Sequence, residues 1–437
     1  MFVLTVNLVN NRSGLNTPDL CSAITTMDYP YRMIMRLLTV AGLACLCGSA
    51  HSPLASVEFG ELRPLAAPAP PGSAEPNLSQ GVGGRVYLSW IEQAPDSGHV
   101  FRLATLRGQR FDSPRTIARA AKGEWFVNWA DFPSVIALSE SQLAAHWLER
   151  TGSSRYAYGV RVARSADGGA TWSQPVAPHR DQSESEHGFV SMFRFGSHVG
   201  IVWLDGRKHA SAKSEAEAEM SVRFTTISQQ GQLGADQEVD GRACDCCQTA
   251  AALTSRGPVV VYRDRSPREV RDIAIVRHAQ GKWSAPRLVH RDDWVIAACP
   301  VNGPAVSARG NRVAVAWFTA ANDQPRVQLA FSADAGDRFG QPVRIDDGAP
   351  AGRVDVQLLT DNSALVSWLE RVGDRAEVRV RRVYANGRKG GARTIATSSA
   401  ERASGFPHMI WRGKDVVFAW TEPGRPSNVK AALLELK

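Results

Sequence analysis

One pattern recurs seven times along this chain and constrains its fold more than any other feature. Alternating apolar segments that end in an aromatic residue occur as RVYLSWIE from Arg85, QLAAHWLE from Gln142, HVGIVWLD from His198, PVVVYRD from Pro258, RVAVAWFT from Arg312, ALVSWLE from Ala364 and DVVFAWTE from Asp415. Their anchors, Trp90, Trp147, Trp203, Tyr262, Trp317, Trp368 and Trp420, are spaced 57, 56, 59, 55, 51 and 52 residues apart. A period near 50 residues with several short strands per unit is that of propeller blades, because a lone four-stranded sheet cannot bury both of its faces without neighbours. The anchors are therefore expected to pack between blades.

Each unit divides into four strands. A short inner strand comes first, as in FPSVIAL from Phe132, GFVSMF from Gly188, GPAVSA from Gly303 and RVDVQLL from Arg353. The aromatic-ending strand follows, then a third strand such as VRVRRV from Val378, then an outer strand. Four outer strands, FDSPRTI from Phe111, WSQPVAP from Trp172, WSAPRLV from Trp283 and FGQPVRI from Phe339, share an aromatic, two residues and a proline, which a sheet tolerates at its edge. The seventh unit stops at Lys437 after its third strand, whereas the segment from Val57 to Leu65 belongs to no unit. The expectation is an all-β propeller over residues 51–437, seven-bladed with six as the alternative count, in which the N-terminal strand closes the last blade. A chain of 437 residues with 43% apolar content can bury such a core.

Residues 1–50 read as an upstream extension and a signal peptide. Arg36 precedes an apolar run from Leu37 to Cys47, and Gly48, Ser49 and Ala50 supply the small residues of a cleavage site, which places the natural start near Met33 or Met35. The run is short for a membrane span, so the mature chain is expected to be secreted or periplasmic without a transmembrane segment. Lipidation at Cys45 or Cys47 is disfavoured, since Gly42, Leu43 and Ala44 make a poor lipobox. The net charge of +8 is dispersed, with no basic tract of the kind nucleic-acid binding needs, and supports only a weak attraction for anionic ligands. Phosphate-binding glycine loops, H-E-x-x-H and a serine-hydrolase elbow are not found. The stretch SAKSEAEAEM from Ser211 reads as an insertion over the third blade.

Two sharper motifs, SADGGATW from Ser165 and SADAGDRF from Ser332, precede outer strands. An Asp that caps backbone N–H groups, a Gly at positive φ and an aromatic beneath the turn make a hairpin. The pattern S-x-D-x-G-x-x-[WF] resembles the Asp box of the sialidase and BNR-repeat propellers. The resemblance implies a structural role for Ser165, Asp167, Gly169, Trp172, Ser332, Asp334, Gly336 and Phe339. It also implies exo-alpha-sialidase-like chemistry, with a Tyr nucleophile, a Glu, an Asp acid/base and three Arg residues on a carboxylate. The early Arg-Ile-Pro strand of that family is absent here; ELRPLAAP from Glu61 is its nearest analogue, and no catalytic position carries over. Family sialidases have six blades, from which the seven units here depart.

In an up-and-down blade, the start of the inner strand and the end of the second strand lie on one rim, opposite the Asp turns. That rim is the expected ligand site. Its catalytic candidates are Arg207, Arg263, Asp264, Arg353 and Asp355, with Arg–Asp pairing between loops as the competing role. Its ligand-binding candidates are Trp129, Asp131, His187, Asp205, Trp294 and Asn302, for a glycan or another anionic small ligand. Tyr262 takes a repeat Trp position and reads as core. Cys244, Cys246, Cys247 and Cys299 enter adjacent inner strands and are expected to meet, as a disulfide of Cys299 with one of the cluster or as a thiolate site for Zn or Cu, with His187 or His209 as further ligands. A glycoside hydrolase, a non-catalytic binding propeller and a thiol or metal protein are the three functional classes that follow.

Overall fold

The structure, a computed structural model, describes residues 58–212 and 218–437. The leader read at residues 1–50 and residues 213–217 of the insertion lie outside the described residues. The chain folds into seven antiparallel sheets that follow one another in sequence, with no α-helix among the described residues. Alternation of apolar and polar residues selects strands, and the glycines and Asp/Asn residues at hairpin turns take the positive φ values that reverse the chain.

The inner strands are Ser73–Gln80, Ser134–Ala137, His187–Phe195, Ala250–Thr254, Ala305–Arg309, Pro350–Leu358 and His408–Trp411. Each pairs with the aromatic-ending strand that follows it, and that strand pairs with the third. Phe59–Leu65 pairs antiparallel with Asn428–Leu436, so the N-terminal strand closes the seventh blade as expected. The join is sealed by side chains as well as backbone: Leu88 and Trp90 of the first blade pack in one cluster with Val417, Ala419 and Leu433 of the seventh.

The seven anchors are buried, from 0% exposure at Trp90, Trp203, Tyr262, Trp317 and Trp368 to 8% at Trp420. An indole N–H in a closed core needs an acceptor. Trp90 donates to Glu92 at 2.9 Å, Trp203 to Asp205 at 2.7 Å and Trp368 to Glu370 at 2.5 Å. Residues i and i+2 lie on one face of a strand, so W-x-[DE] carries its own acceptor at these three anchors, whereas the Trp147 indole N–H of W-L-E has none. Trp317 instead donates to Asp292 at 2.6 Å, and Tyr262 to Asp240 at 2.5 Å.

The blades differ at their outer edges. The second sheet has three strands, Ser134–Ala137, Leu143–Arg150 and Tyr158–Ser165, and its expected outer strand is held by a single bridge between Val162 and Val176. That segment has prolines at 175 and 178, which remove the N–H groups on either side of the bridge. Two of the other proline-led edges pair on both sides of their proline, at Arg110–Phe111 and Arg115–Ala120 and at Lys282–Trp283 and Arg287–Leu288, and one pairs only after it, at Val343–Arg344.

Both Ser–Asp turns form between third and outer strands. Ser165 Oγ accepts from Gly169 N–H at 2.8 Å, and Asp167 Oδ1 accepts from the N–H groups of Ala170 and Thr171 at 3.0 and 2.9 Å. Ser332 and Asp334 repeat the arrangement with Gly336 and Arg338.

Candidate functional site

Three inner strands begin with the same irregularity. The ladder slips between Ala74 and Asn77, between Gly188 and Ser191 and between Gly352 and Asp355, and Glu75, Phe189 and Arg353 take φ values of 55°, 51° and 55°. Such bulges bend a strand and re-aim its side chains. They lie at the strand starts, on the rim opposite the Ser–Asp turns.

The entering loops are tied to one another around the mouth. Asp131 Oδ1 accepts from Phe189 N–H at 2.7 Å, and Gln248 bridges Ala130 O at 2.6 Å and Gly303 N–H at 2.9 Å. Asn302 Oδ1 accepts from Arg353 N–H at 2.8 Å, and Arg353 Nη1 donates to Gly405 O at 2.9 Å. Trp129 and Phe406 stack with centroids 5.9 Å apart, and the Arg353 guanidinium lies 4.8 Å from the Trp129 centroid. Phe132, Phe406, Asp355 and His408 help line an axial channel of about 230 Å³. Burial in that channel pushes the Asp355 carboxyl up to about 7, against hydrogen bonds from the Met409 and Val356 N–H groups.

The three candidate arginines do not converge on one open anion clamp. Arg263 is 1% exposed and donates to the carbonyls of Asn302, Arg271 and Phe318, with its guanidinium 4.8 Å from the Trp294 centroid. Arg353 donates to Ser404 Oγ and to the carbonyls of Gly405, Ala400 and Glu401. Neither takes the Arg–Asp pairing weighed from the sequence, because backbone carbonyls of neighbouring loops reach the guanidinium first. Arg207 does pair with acids: Asp205 at 2.6 Å, Asp236 at 3.0 Å and Asp181 at 3.2 Å. Asp264 Oδ1 accepts from Arg265 N–H at 2.8 Å, and burial followed by the Asp240 charge raises it to about 6.

His187 belongs to the Arg207 group and is engaged away from the cysteines. Its Nδ1 lies 3.0 Å from Ser185 O, and its Nε2 lies 3.0 Å from Asp181 and 3.6 Å from Asp205. Burial opposes a charge on this ring, but the Asp181 hydrogen bond and the two carboxylates outweigh it and raise the pKa. His179 stacks on it at 4.0 Å and is pushed down to about 4, by burial first and then by the His187 charge.

An acidic group that includes the candidate Asp131 lies nearby. Tyr158 Oη is 2.5 Å from Glu186 and 3.3 Å from Asp131. Burial pushes Glu186 up to about 7 despite the phenol hydrogen bond, and the Asp245 charge adds to the rise. Burial likewise raises Asp131 and Glu75 well above the usual carboxylate range, each with an acidic neighbour contributing. Tyr158 opens a third strand like any other, so only the loop that carries Glu186 past it reveals the pair.

The cysteines meet at the fourth and fifth inner strands. Cys246 is bonded to Cys299, with Cα atoms 6.0 Å apart, so a disulfide of Cys299 with one of the cluster is present. Cys244 and Cys247 are buried, unbonded, and have sulfurs 2.6 Å apart. They stand in C-x-x-C spacing, a pairing hidden by reading the run as C-x-C-C. Beside them opens a rim pocket of about 610 Å³ lined by His209, Asp245, Arg265, Glu269, Arg271 and Cys299. Arg265 reaches Glu269 at 2.9 Å and Asp245 at 3.3 Å, and Arg271 reaches Glu269 at 2.8 Å, so donors and acceptors alternate along its wall.

No family model matches this chain, and no curated protein matches it either. Solved structures of similar shape exist. A protein of unknown function from Dyadobacter fermentans is 13% identical, with a TM-score of 0.50, over 87% of this chain and 100% of that one. The polysaccharide lyase Uly1 is 9% identical, with a TM-score of 0.51, over 87% of this chain and 100% of that one. A Hadza microbial sialidase, Hz136, is 14% identical, with a TM-score of 0.44, over 68% of this chain and 63% of that one. At these identities the likeness is one of fold.

Proposed function

We propose that this propeller is an exported glycan-binding protein whose ligand sits in the rim pocket opposite the Ser–Asp turns. The observation that carries the reading is the pocket of about 610 Å³, with Arg265 and Arg271 as donors and Asp245 and Glu269 as acceptors. A sugar presents hydroxyls that both donate and accept, and an acidic sugar adds a carboxylate that suits a guanidinium fork. A polysaccharide lyase shares the ring architecture, which makes carbohydrate the first ligand class to test.

If the ligand is also cleaved, Glu186 is the acid to assign. A carboxyl held near 7 keeps a proton to donate at neutral pH, and Asp245 is close enough to influence its charge. Titration calorimetry with neutral, uronic and sialylated oligosaccharides tests the binding, and aryl glycosides test turnover. Arg265→Ala is expected to weaken binding about tenfold, the loss of roughly one charged hydrogen bond. Glu186→Gln is expected to abolish turnover and spare binding. Failure of every saccharide to bind rejects the reading; binding without turnover by the native chain leaves a non-catalytic module.

A further inference from the structure

The four cysteines carry chemistry that ligand binding does not use. Cys299 is exposed in the pocket wall and its partner Cys246 is half-buried, whereas Cys244 and Cys247 are closed off from solvent. The sulfurs of Cys244, Cys246 and Cys247 all lie within 4.8 Å of one another. Arg271, which lines the same pocket, donates through Nη1 to Cys244 Sγ at 3.3 Å. An accessible disulfide thus stands within one short movement of a buried dithiol whose first sulfur faces a guanidinium.

We propose that Cys244, Cys246, Cys247 and Cys299 form a thiol–disulfide relay, in which the accessible Cys246–Cys299 disulfide exchanges with the buried Cys244/Cys247 pair and with small thiols that enter the rim pocket. In the internal exchange the Cys244 thiolate attacks Cys246 Sγ, the bond to Cys299 breaks, and the electron pair leaves on Cys299. Cys247 then releases its proton and attacks Cys244 Sγ, and Cys246 departs as a thiolate. Cys244 and Cys247 are oxidised by two electrons, Cys246 and Cys299 are reduced by two, and the two protons of the first pair end on the second. No outside oxidant is required. A bond between Cys244 and Cys246 spans one residue and has poor disulfide geometry, which drives its resolution by Cys247. From outside, a small thiolate attacks the exposed Cys299 Sγ, forms a mixed disulfide there and frees Cys246.

The electrostatics divide the roles in the same way. Burial alone raises a thiol, but the Cys247 hydrogen bond, the Cys246 N–H and the charges of Arg263 and Arg271 lower Cys244 below the ordinary thiol range. Burial holds Cys247 well above the ordinary thiol range. Arg271 Nη1, 3.3 Å from Cys244 Sγ, favours the thiolate there and makes Cys244 the attacking sulfur, while Cys247 resolves.

The test uses the full chain equilibrated in glutathione buffers of graded reduced-to-oxidised ratio, acid-quenched, alkylated and mapped by mass spectrometry, with metal analysis of the same sample. The expected result is two interconverting pairings, Cys246–Cys299 and Cys244–Cys247, with glutathione trapped at Cys299. Cys299→Ser is expected to trap the Cys244–Cys247 disulfide. Arg271→Met is expected to slow exchange about tenfold, the effect of roughly one pKa unit on the thiolate fraction. Stoichiometric zinc or copper in the purified chain overturns the relay. So does a wild-type protein whose pairing stays fixed across every buffer.

Discussion

Arg353, from the sixth blade, holds its guanidinium 4.8 Å from the ring centroid of Trp129, from the loop that enters the second. The two residues are far apart in sequence and meet where the ring closes over its axis. The same guanidinium reaches Ser404, Gly405, Ala400 and Glu401 in the loop that enters the seventh blade. It is a fastener across the mouth, and burial lowers its pKa to about 10.

Replacing Arg353 with Ala is expected to destabilise the fold by about 3 kcal/mol or more, since several buried carbonyls lose their donor and the cation–π contact goes with them. Arg353→Lys should recover only part of this, because an ammonium cannot span the same carbonyl set. Denaturant unfolding of the three chains measures the order; equal stability of the Lys and native proteins contradicts the fastener role.

The His187 cluster predicts a pH dependence with a definite sign. The folded pKa of His187 is raised, so the folded state binds more protons than the unfolded state between the ordinary value of about 6.5 and the folded value. The contribution of the Asp181–His187–Asp205 contact is therefore fully present below about 6.5 and is lost as pH rises through the folded pKa. His179 and Arg207, packed on the same group, oppose protonation, while Asp181 and Asp205 favour it. Glu186 and Asp355, both near 7, also lower stability with rising pH, but from a start in the carboxylate range. The difference between native and His187→Gln unfolding curves, taken across neutral pH, isolates the histidine; a pH-independent difference rules it out.

The closing strand offers a third check. Without residues 58–65, the Asn428–Leu436 strand keeps one unpaired edge and exposes apolar residues that now pack at the join. Such an edge is expected to recruit other chains, so the truncated protein should aggregate or unfold at lower temperature than the full one. Light scattering during a thermal ramp reads both effects. A monomeric truncated chain with unchanged melting would show that the ring is held elsewhere.

The Ser–Asp turns should matter for stability alone. Gly336 has φ of 80°, and a Cβ there would lie 2.8 Å from Ile275 Cδ1. Gly336→Ala is expected to cost about 1–3 kcal/mol through backbone strain. Ligand affinity at the opposite rim, measured below the melting transition, should not change. A loss of affinity in the folded variant would place function at the turn.

The features legible in the residues are local or repetitive. Strand alternation, the aromatic anchors, the turn chemistry of Ser165–Asp167 and Ser332–Asp334 and the unmatched N-terminal strand are each encoded within a few residues or between neighbouring units, and a blade needs only its neighbours to be buried. The W-x-[DE] acceptors at Asp205 and Glu370 belong here too, each taken up by the indole two residues before it.

Tertiary structure alone decided how the rim is used. Arg263 and Arg353 present charges that suit an anion, and only the approach of backbone carbonyls from two or three other loops shows those donors to be taken. Glu186 becomes a group titrating near 7 only because Tyr158, Asp245 and a buried setting surround it. The cysteines make the point most sharply. Their spacing permits several pairings, and the choice of Cys246 with Cys299, leaving Cys244 against Cys247 and Arg271, depends on the directions in which two loops 53 residues apart aim their sulfurs. A bond over a few ångströms is set by those directions, and no local sequence pattern contains them.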